Sequence, residues 1–195
     1  MKQRQFAQEL EDWSKSKGDK TLGSLLQVFS RDSFSILILL LMSIPALPVP
    51  TGGLTHIFEV ITILLALEMI AGRHAVWLPE RWRSVSLQAF ASGKTIKRLV
   101  SGVRRLENLS RPRLAELMEN RRFISLIGLI ILIFAAAAFL APPFSGLDTL
   151  PALGVVIISL ALIFNDIVLL AAGTVVGLVG IGLIIALGSA IYHLF

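Results

Sequence analysis

Phe123 to Leu147 and Ile167 to Tyr192 are two stretches without a single charged residue. Each is longer than the roughly 20 apolar residues needed to cross a hydrocarbon core. Runs of this kind restrict the fold severely, because lipid offers no hydrogen-bond partner to a bare peptide group and only helices and closed barrels satisfy their backbones there. The alternating pattern of a barrel strand is absent from the chain. The expected fold class is therefore all-α: a polytopic helical membrane protein with short or re-entrant helices broken by proline and glycine, a candidate internal inverted repeat, and amphipathic helices at the interface. Composition points the same way, with 55% hydrophobic and 16% charged residues against roughly 45 to 50% and about 25% in soluble domains.

All 18 lysines and arginines fall in two blocks, six in Met1 to Arg31 and twelve in Arg73 to Arg122. Each block also holds four acidic residues, so the first is mildly and the second strongly positive. Lys and Arg beside membrane segments resist translocation. Both blocks, and the N-terminus with them, are expected on the cytoplasmic side, and the segment between them must enter and leave by one face. The chain then divides into 1–32, amphipathic helices on the cytoplasmic face; 33–72, a first membrane hairpin; 73–122, a basic cytoplasmic amphipathic segment; and 123–195, a second membrane region. The charged, patterned first 33 residues are unlike a cleavable signal, so retention in the membrane as synthesised is expected.

Within these blocks, Phe6, Leu10 and Trp13, then Leu22, Leu25, Leu26 and Phe29, follow helical spacing around a break at Lys17-Gly18-Asp19, and this surface helix is expected on the inner leaflet. Trp77 and Trp82, interleaved with Arg81 and Arg83, read as headgroup-level anchors. From Lys94 to Leu109, Lys94, Lys97, Arg98, Arg104 and Arg105 oppose Ile96, Leu99, Val100, Val103 and Leu106. That pattern suits a helix on anionic lipid of the inner leaflet; a solvated face over the protein's own helices fits it equally. The positive charge flanks apolar segments and has no interleaved aromatic platform, so nucleic acid is not an expected partner.

Both membrane regions are interrupted by an elbow, Pro45, Pro48, Pro50, Gly52 and Gly53 in the first and Pro142, Pro143 and Gly146 in the second. Phe34 to Ile44 would be only about 16 Å of helix, half a bilayer. Leu54 to Ala71 returns as a helix closed by Gly72-Arg73, so Phe34 to Ala71 is either a re-entrant hairpin or a tight pair of spans. Leu150 to Phe164 is again short for a crossing. Ile167 to Phe195 would run about 43 Å as one helix and must tilt, bend at its glycines or split. Interrupted segments at corresponding places in two halves are how repeated transporters build a site at mid-bilayer depth.

The candidate site residues follow from cost. Thr55, Glu59 and Thr62 share one face of an otherwise apolar helix, with His56 beside them. A carboxylate in a membrane segment costs about 2.5 to 3.5 kcal/mol on insertion scales, which makes Glu59 a candidate for releasing a proton or holding a cation. The competing reading pairs Glu59 with His56 or places it near water. Glu68, on the opposite face, is expected to pair near Arg73 and His74. Asp148 and Asp166 stand at turns where capping is the default role. Gly173 and Gly177 form a GxxxG pair that lets another helix approach, within the chain or in a homodimer.

No catalytic residue, metal site or cofactor is expected. His56, His74 and His193 are too scattered for a metal, cysteine is absent, and Gly180-Ile-Gly182 lies inside an apolar run where no phosphate loop belongs.

A distributed set of short motifs carries a resemblance. It runs from Thr21-Leu22-Gly23-Ser24-Leu25-Leu26 through Ile44-Pro45-Ala46-Leu47-Pro48-Val49-Pro50, Leu65-Ala66-Leu67-Glu68, Gly72-Arg73 and Trp77-Leu78-Pro79. It continues with Leu106-Glu107, Arg111-Pro112-Arg113-Leu114, Pro142-Pro143-Phe144 and Leu150-Pro151-Ala152-Leu153-Gly154. In order and spacing these resemble the ExoD family of bacterial integral membrane proteins linked to exopolysaccharide synthesis, over about residues 20 to 170. The chain departs from the family in having Asp166-Ile167 where Asp-Gly is usual, and in lacking a clear polar match at Ser145 or Gly146. The resemblance implies the bacterial inner membrane and a link to surface polysaccharide. Combined with the elbows it leads to two expectations: a small transporter of an ion, solute or lipid-linked species, or a non-transporting accessory protein that recruits polysaccharide-synthesis proteins through the basic segment.

Overall fold

The computed structural model describes residues 6–29, 32–47, 54–73, 76, 80–84, 86, 88, 100, 101, 104, 117, 120–142 and 145–194. They form α1 (Phe6–Lys15), α2 (Leu22–Val28), α3 (Ser33–Met42), α4 (Leu54–Ile70), α5 (Glu80–Arg83), α6 (Arg121–Leu140), α7 (Thr149–Phe164) and α8 (Ile167–Leu194). No strand occurs among the described residues beyond an isolated bridge between Thr21 and Ser86. The all-α expectation holds.

The N-terminal helices divide where the charge cluster interrupts them. Lys20, itself buried, donates from Nζ to the Trp13 carbonyl and, at 2.7 Å, to that of Ser16. A cation there satisfies the carbonyls that the last turn of α1 leaves open. Thr21 and Ser24 then start α2 with a reciprocal capping box, and Trp13 Nε1 donates to Ser24 Oγ at 3.1 Å. Ala7, Leu10 and Trp13 form the buried stripe of α1. They pack with Leu25, Phe29, Ile36, Ile163 and Phe164, so the apolar face expected on the inner leaflet is covered by the protein's own α3 and α7. Phe6 seals the contact, 4.6 Å from the Phe29 ring and 6.4 Å from that of Phe164.

The main body packs α3, α4, α6 and α7 around Ile38, Met42, Ala66, Ile131, Phe134, Val155 and Ile158. Helices α4 and α6 lie side by side and antiparallel. At one end Arg121 Nη2 donates to the Ala71 carbonyl at 2.8 Å and Ser125 Oγ to that of Ile70 at 3.1 Å. At the other end the His56 ring meets Phe139, with centroids 5.3 Å apart. The C-terminal half of α3 shares the core with α4, and the chain then leaves Phe139 through the second elbow into α7. The start of α4 and the end of α6 therefore stand at one end of the bundle, and the basic residues Arg73, Arg121 and Arg122 at the other.

Inversion about an axis in the membrane plane would send the two elbows to opposite faces; here α3–α4 and α6–α7 are hairpins of like orientation. The 20 residues of α6 make about 30 Å of helix, so the second elbow lies a full bilayer's reach from Arg121.

Helix α8 neither splits nor breaks at its glycines; it is one helix of 28 residues. It turns back on α7 through Asn165, which takes the left-handed conformation (φ 54°, ψ 40°) at the C-cap of α7. The approach is close because the glycines are matched: a Cβ on Gly154 would stand 2.7 Å from Gly177 Cα, and one on Gly173 2.9 Å from the Gly154 carbonyl oxygen. Helices α6 and α8 are long and apolar enough to cross a membrane. Their outward faces expose Leu126, Ile133, Leu140, Val175, Leu178 and Ile185.

Candidate functional site

The face of α4 that carries Thr55, Glu59 and Thr62 turns into the bundle. All three are buried, Glu59 and Thr62 at 0% exposure. His56, 29% exposed, stands beside Thr55 in the first turn of α4, and its Nδ1 lies 2.7 Å from Glu59 Oε2. Which partner carries the proton depends on the tautomer. The pairing expected as the competing reading of Glu59 is therefore present, yet it uses one oxygen only. Glu59 Oε1 and Thr62 Oγ1 have no hydrogen-bond partner among the described residues. The polar stripe begins at the end of α4 whose His56 meets Phe139 of α6. From Leu54 to Thr62 it descends about 12 Å, half the length of α4.

Such an arrangement can hold and pass a proton, or coordinate a small cation through carboxylate and hydroxyl oxygens. It has no nucleophile paired with a base. Among the described residues no group of three or more His, Asp and Glu side chains is placed to hold a metal ion.

The other sequence-derived candidates separate. Pro45 is fully buried at the end of α3, while Pro142 and Gly146 are exposed, Gly146 with φ 69°. Asp166 is buried and caps α8, its Oδ1 accepting from Val168 N at 2.8 Å. Asp148 occupies the N-cap of α7 without a side-chain cap bond. Glu68 pairs with Arg73 at 3.5 Å. Gly173 and Gly177 spend their close approach within the chain, against Gly154, Ile158 and the Phe134 ring, and so supply no free dimer face. Arg104 is exposed and donates to Glu11 Oε2 at 2.8 Å, and Val100 is buried against α1 and α2. At these two positions the basic segment packs on the protein's own helices. Pro48, Pro50, Gly52, Gly53, Trp77, Lys94, Lys97, Arg98, Arg105 and Pro143 lie outside the described residues, as does the side chain of Trp82 in α5.

Three contributors escaped the sequence reading: Phe139, Arg121 and Ser125. Arg121 alone carried a signal, as a cation beside the first of the two charge-free runs.

A family profile described as "Exopolysaccharide synthesis, ExoD" matches residues 6–186. The chain belongs to the ExoD family. An uncharacterized protein, slr1875, of Synechocystis sp. (strain ATCC 27184 / PCC 6803 / Kazusa) is 28% identical over 193 residues, covering 97% of this chain and 89% of its own. No solved structure matches the chain. The family ties this protein to exopolysaccharide synthesis and leaves the chemistry to its own residues.

Proposed function

We propose that this ExoD-family protein is an integral protein of the bacterial inner membrane, its N-terminus cytoplasmic, that supports exopolysaccharide synthesis as a small transporter. The cargo class is an ion, a small solute or a lipid-linked species, and the site is the polar stripe that descends from the paired elbows. The observation that carries this reading is Glu59: fully buried on a helix of apolar residues, bonded through one oxygen to His56 and without a partner for the other among the described residues. An ionisable group inside a membrane segment is costly and marks ion or proton pathways. Its unpartnered oxygen is the kind of group a structure retains for something that comes and goes.

The test is flux through reconstituted protein. Proton or solute flux that disappears in Glu59→Gln, which keeps the shape and removes the charge, and in Pro48→Ala, supports transport. Exopolysaccharide production that survives both changes but is lost on neutralising Arg104 and Arg105 supports the accessory role in their place.

A further inference from the structure

The cytoplasmic ends of α4 and α6 enclose a groove of about 660 Å³ whose wall is Ile70, Leu126 and Leu129. Its mouth is formed by Asn120, Arg121, Arg122 and Ser125, and among the described residues no acidic side chain lines it. The two ends have different chemistry. Leu126 and Leu129 are exposed large hydrophobics, and Leu129 lies eight residues beyond Arg121, about 12 Å along the helix and within one leaflet. At the mouth, Arg121 spends one nitrogen on the Ala71 carbonyl, and a guanidinium has further donors to offer. Arg122 is exposed and has no carboxylate partner among the described residues.

Two guanidiniums above an apolar wall one leaflet deep complement a molecule with an anionic head and a hydrocarbon tail. Basic pockets between membrane helices on the cytoplasmic side bind anionic headgroups, and arginine matches phosphate oxygens with paired N–H donors. We infer that this groove is a binding site for an anionic phospholipid of the cytoplasmic leaflet, its phosphate on Arg121 and Arg122 and an acyl chain along Ile70, Leu126 and Leu129. The inference rests on the membrane placement of α6 and not on transport. Flux and lipid retention can therefore fail separately.

The full chain, purified in mild detergent, is exposed to phosphatidylglycerol or phosphatidylcholine and examined by native mass spectrometry. Phosphatidylglycerol should be retained in preference. Arg122→Gln, which spares the Arg121 bond to Ala71, should lower that retention about fivefold, the worth of one cation at a membrane surface, and the double change with Arg121→Gln further still. Arg104→Gln, in the pair with Glu11, should leave it unchanged. Equal retention of phosphatidylcholine, an unaltered Arg121→Gln/Arg122→Gln variant with native circular dichroism, or inorganic phosphate binding as tightly as the lipid would overturn the site. So would Leu129→Cys, in a chain without cysteine, cross-linking efficiently to a second copy in native membranes, since another protein chain would then cover the groove.

Discussion

His56 and Phe139 meet edge to face, their ring centroids 5.3 Å apart and their planes at 70°. One stands three residues after the first elbow and the other three before the second. The contact brings the two chain interruptions to the same end of the bundle. The buried carboxylate lies one turn below it, so whatever enters between the elbows reaches His56 before Glu59.

The His56–Glu59 pair should be energetically coupled. A hydrogen bond to a charged group inside a protein contributes about 1.5 to 3 kcal/mol. In a double-mutant cycle of His56→Ala and Glu59→Gln, measured by unfolding in detergent, the interaction energy should fall in that range. Additivity within about 0.5 kcal/mol would mean that the 2.7 Å contact is incidental. Phe139→Ala, which removes the ring against His56, should weaken the same coupling without touching either partner.

Glu11 predicts a pH effect on α1. The Lys15 ammonium beside it, bonded at 2.6 Å, and secondarily the Arg104 guanidinium hold its carboxyl below the ordinary value near 4.5. A folded-state value lower than the unfolded one contributes stability that is present above about pH 4.5 and is lost as pH falls through the lower folded value. Hydrogen exchange of α1 should therefore accelerate on acidification below that point, less so in Glu11→Gln. The groups are exposed, so salt should blunt the difference.

Much of this was legible in residue order, for reasons that can be named. Charge-free runs declare helices, because lipid and buried cores both forbid open backbone. The Thr55, Glu59, Thr62 spacing declares a shared face. Asp166 as a cap and Glu68 with Arg73 are local relations, within a turn or two of sequence. The side-by-side pairing of α4 with α6 is a different matter. It depends on Ser125 meeting Ile70 and Arg121 meeting Ala71 across about 50 residues, and no local pattern encodes such contacts. For the same reason the relative orientation of the α3–α4 and α6–α7 hairpins is not written in any local pattern.

Lys20 should prove a structural cation. It is buried, bonded to the carbonyls of Trp13 and Ser16 and to Ser16 Oγ, and lies 5.4 Å from the centre of the Trp13 ring. Lys20→Met keeps the stem and removes three hydrogen bonds, to the carbonyls of Trp13 and Ser16 and to Ser16 Oγ, at about 1 kcal/mol each. The expected result is lower stability and a red-shifted Trp13 emission, read in a background with Trp77 and Trp82 replaced by phenylalanine.

The glycines separate packing within the chain from packing between chains. A side chain at Gly177 would collide with the Phe134 ring, and one at Gly154 would stand 2.7 Å from Gly177 Cα, backbone that cannot swing aside. Overpacking a fitted interface costs about 1 to 3 kcal/mol, so Gly154→Leu and Gly177→Leu should each lower the unfolding midpoint markedly. Gly182 and Gly188 have open space around them, and leucine there should shift stability by no more than about 0.5 kcal/mol. Because the close approach is made by α7 on α8 of one chain, oligomeric state should be the same in all four variants. Dissociation of an otherwise folded dimer by Gly177→Leu would instead place that stripe between subunits.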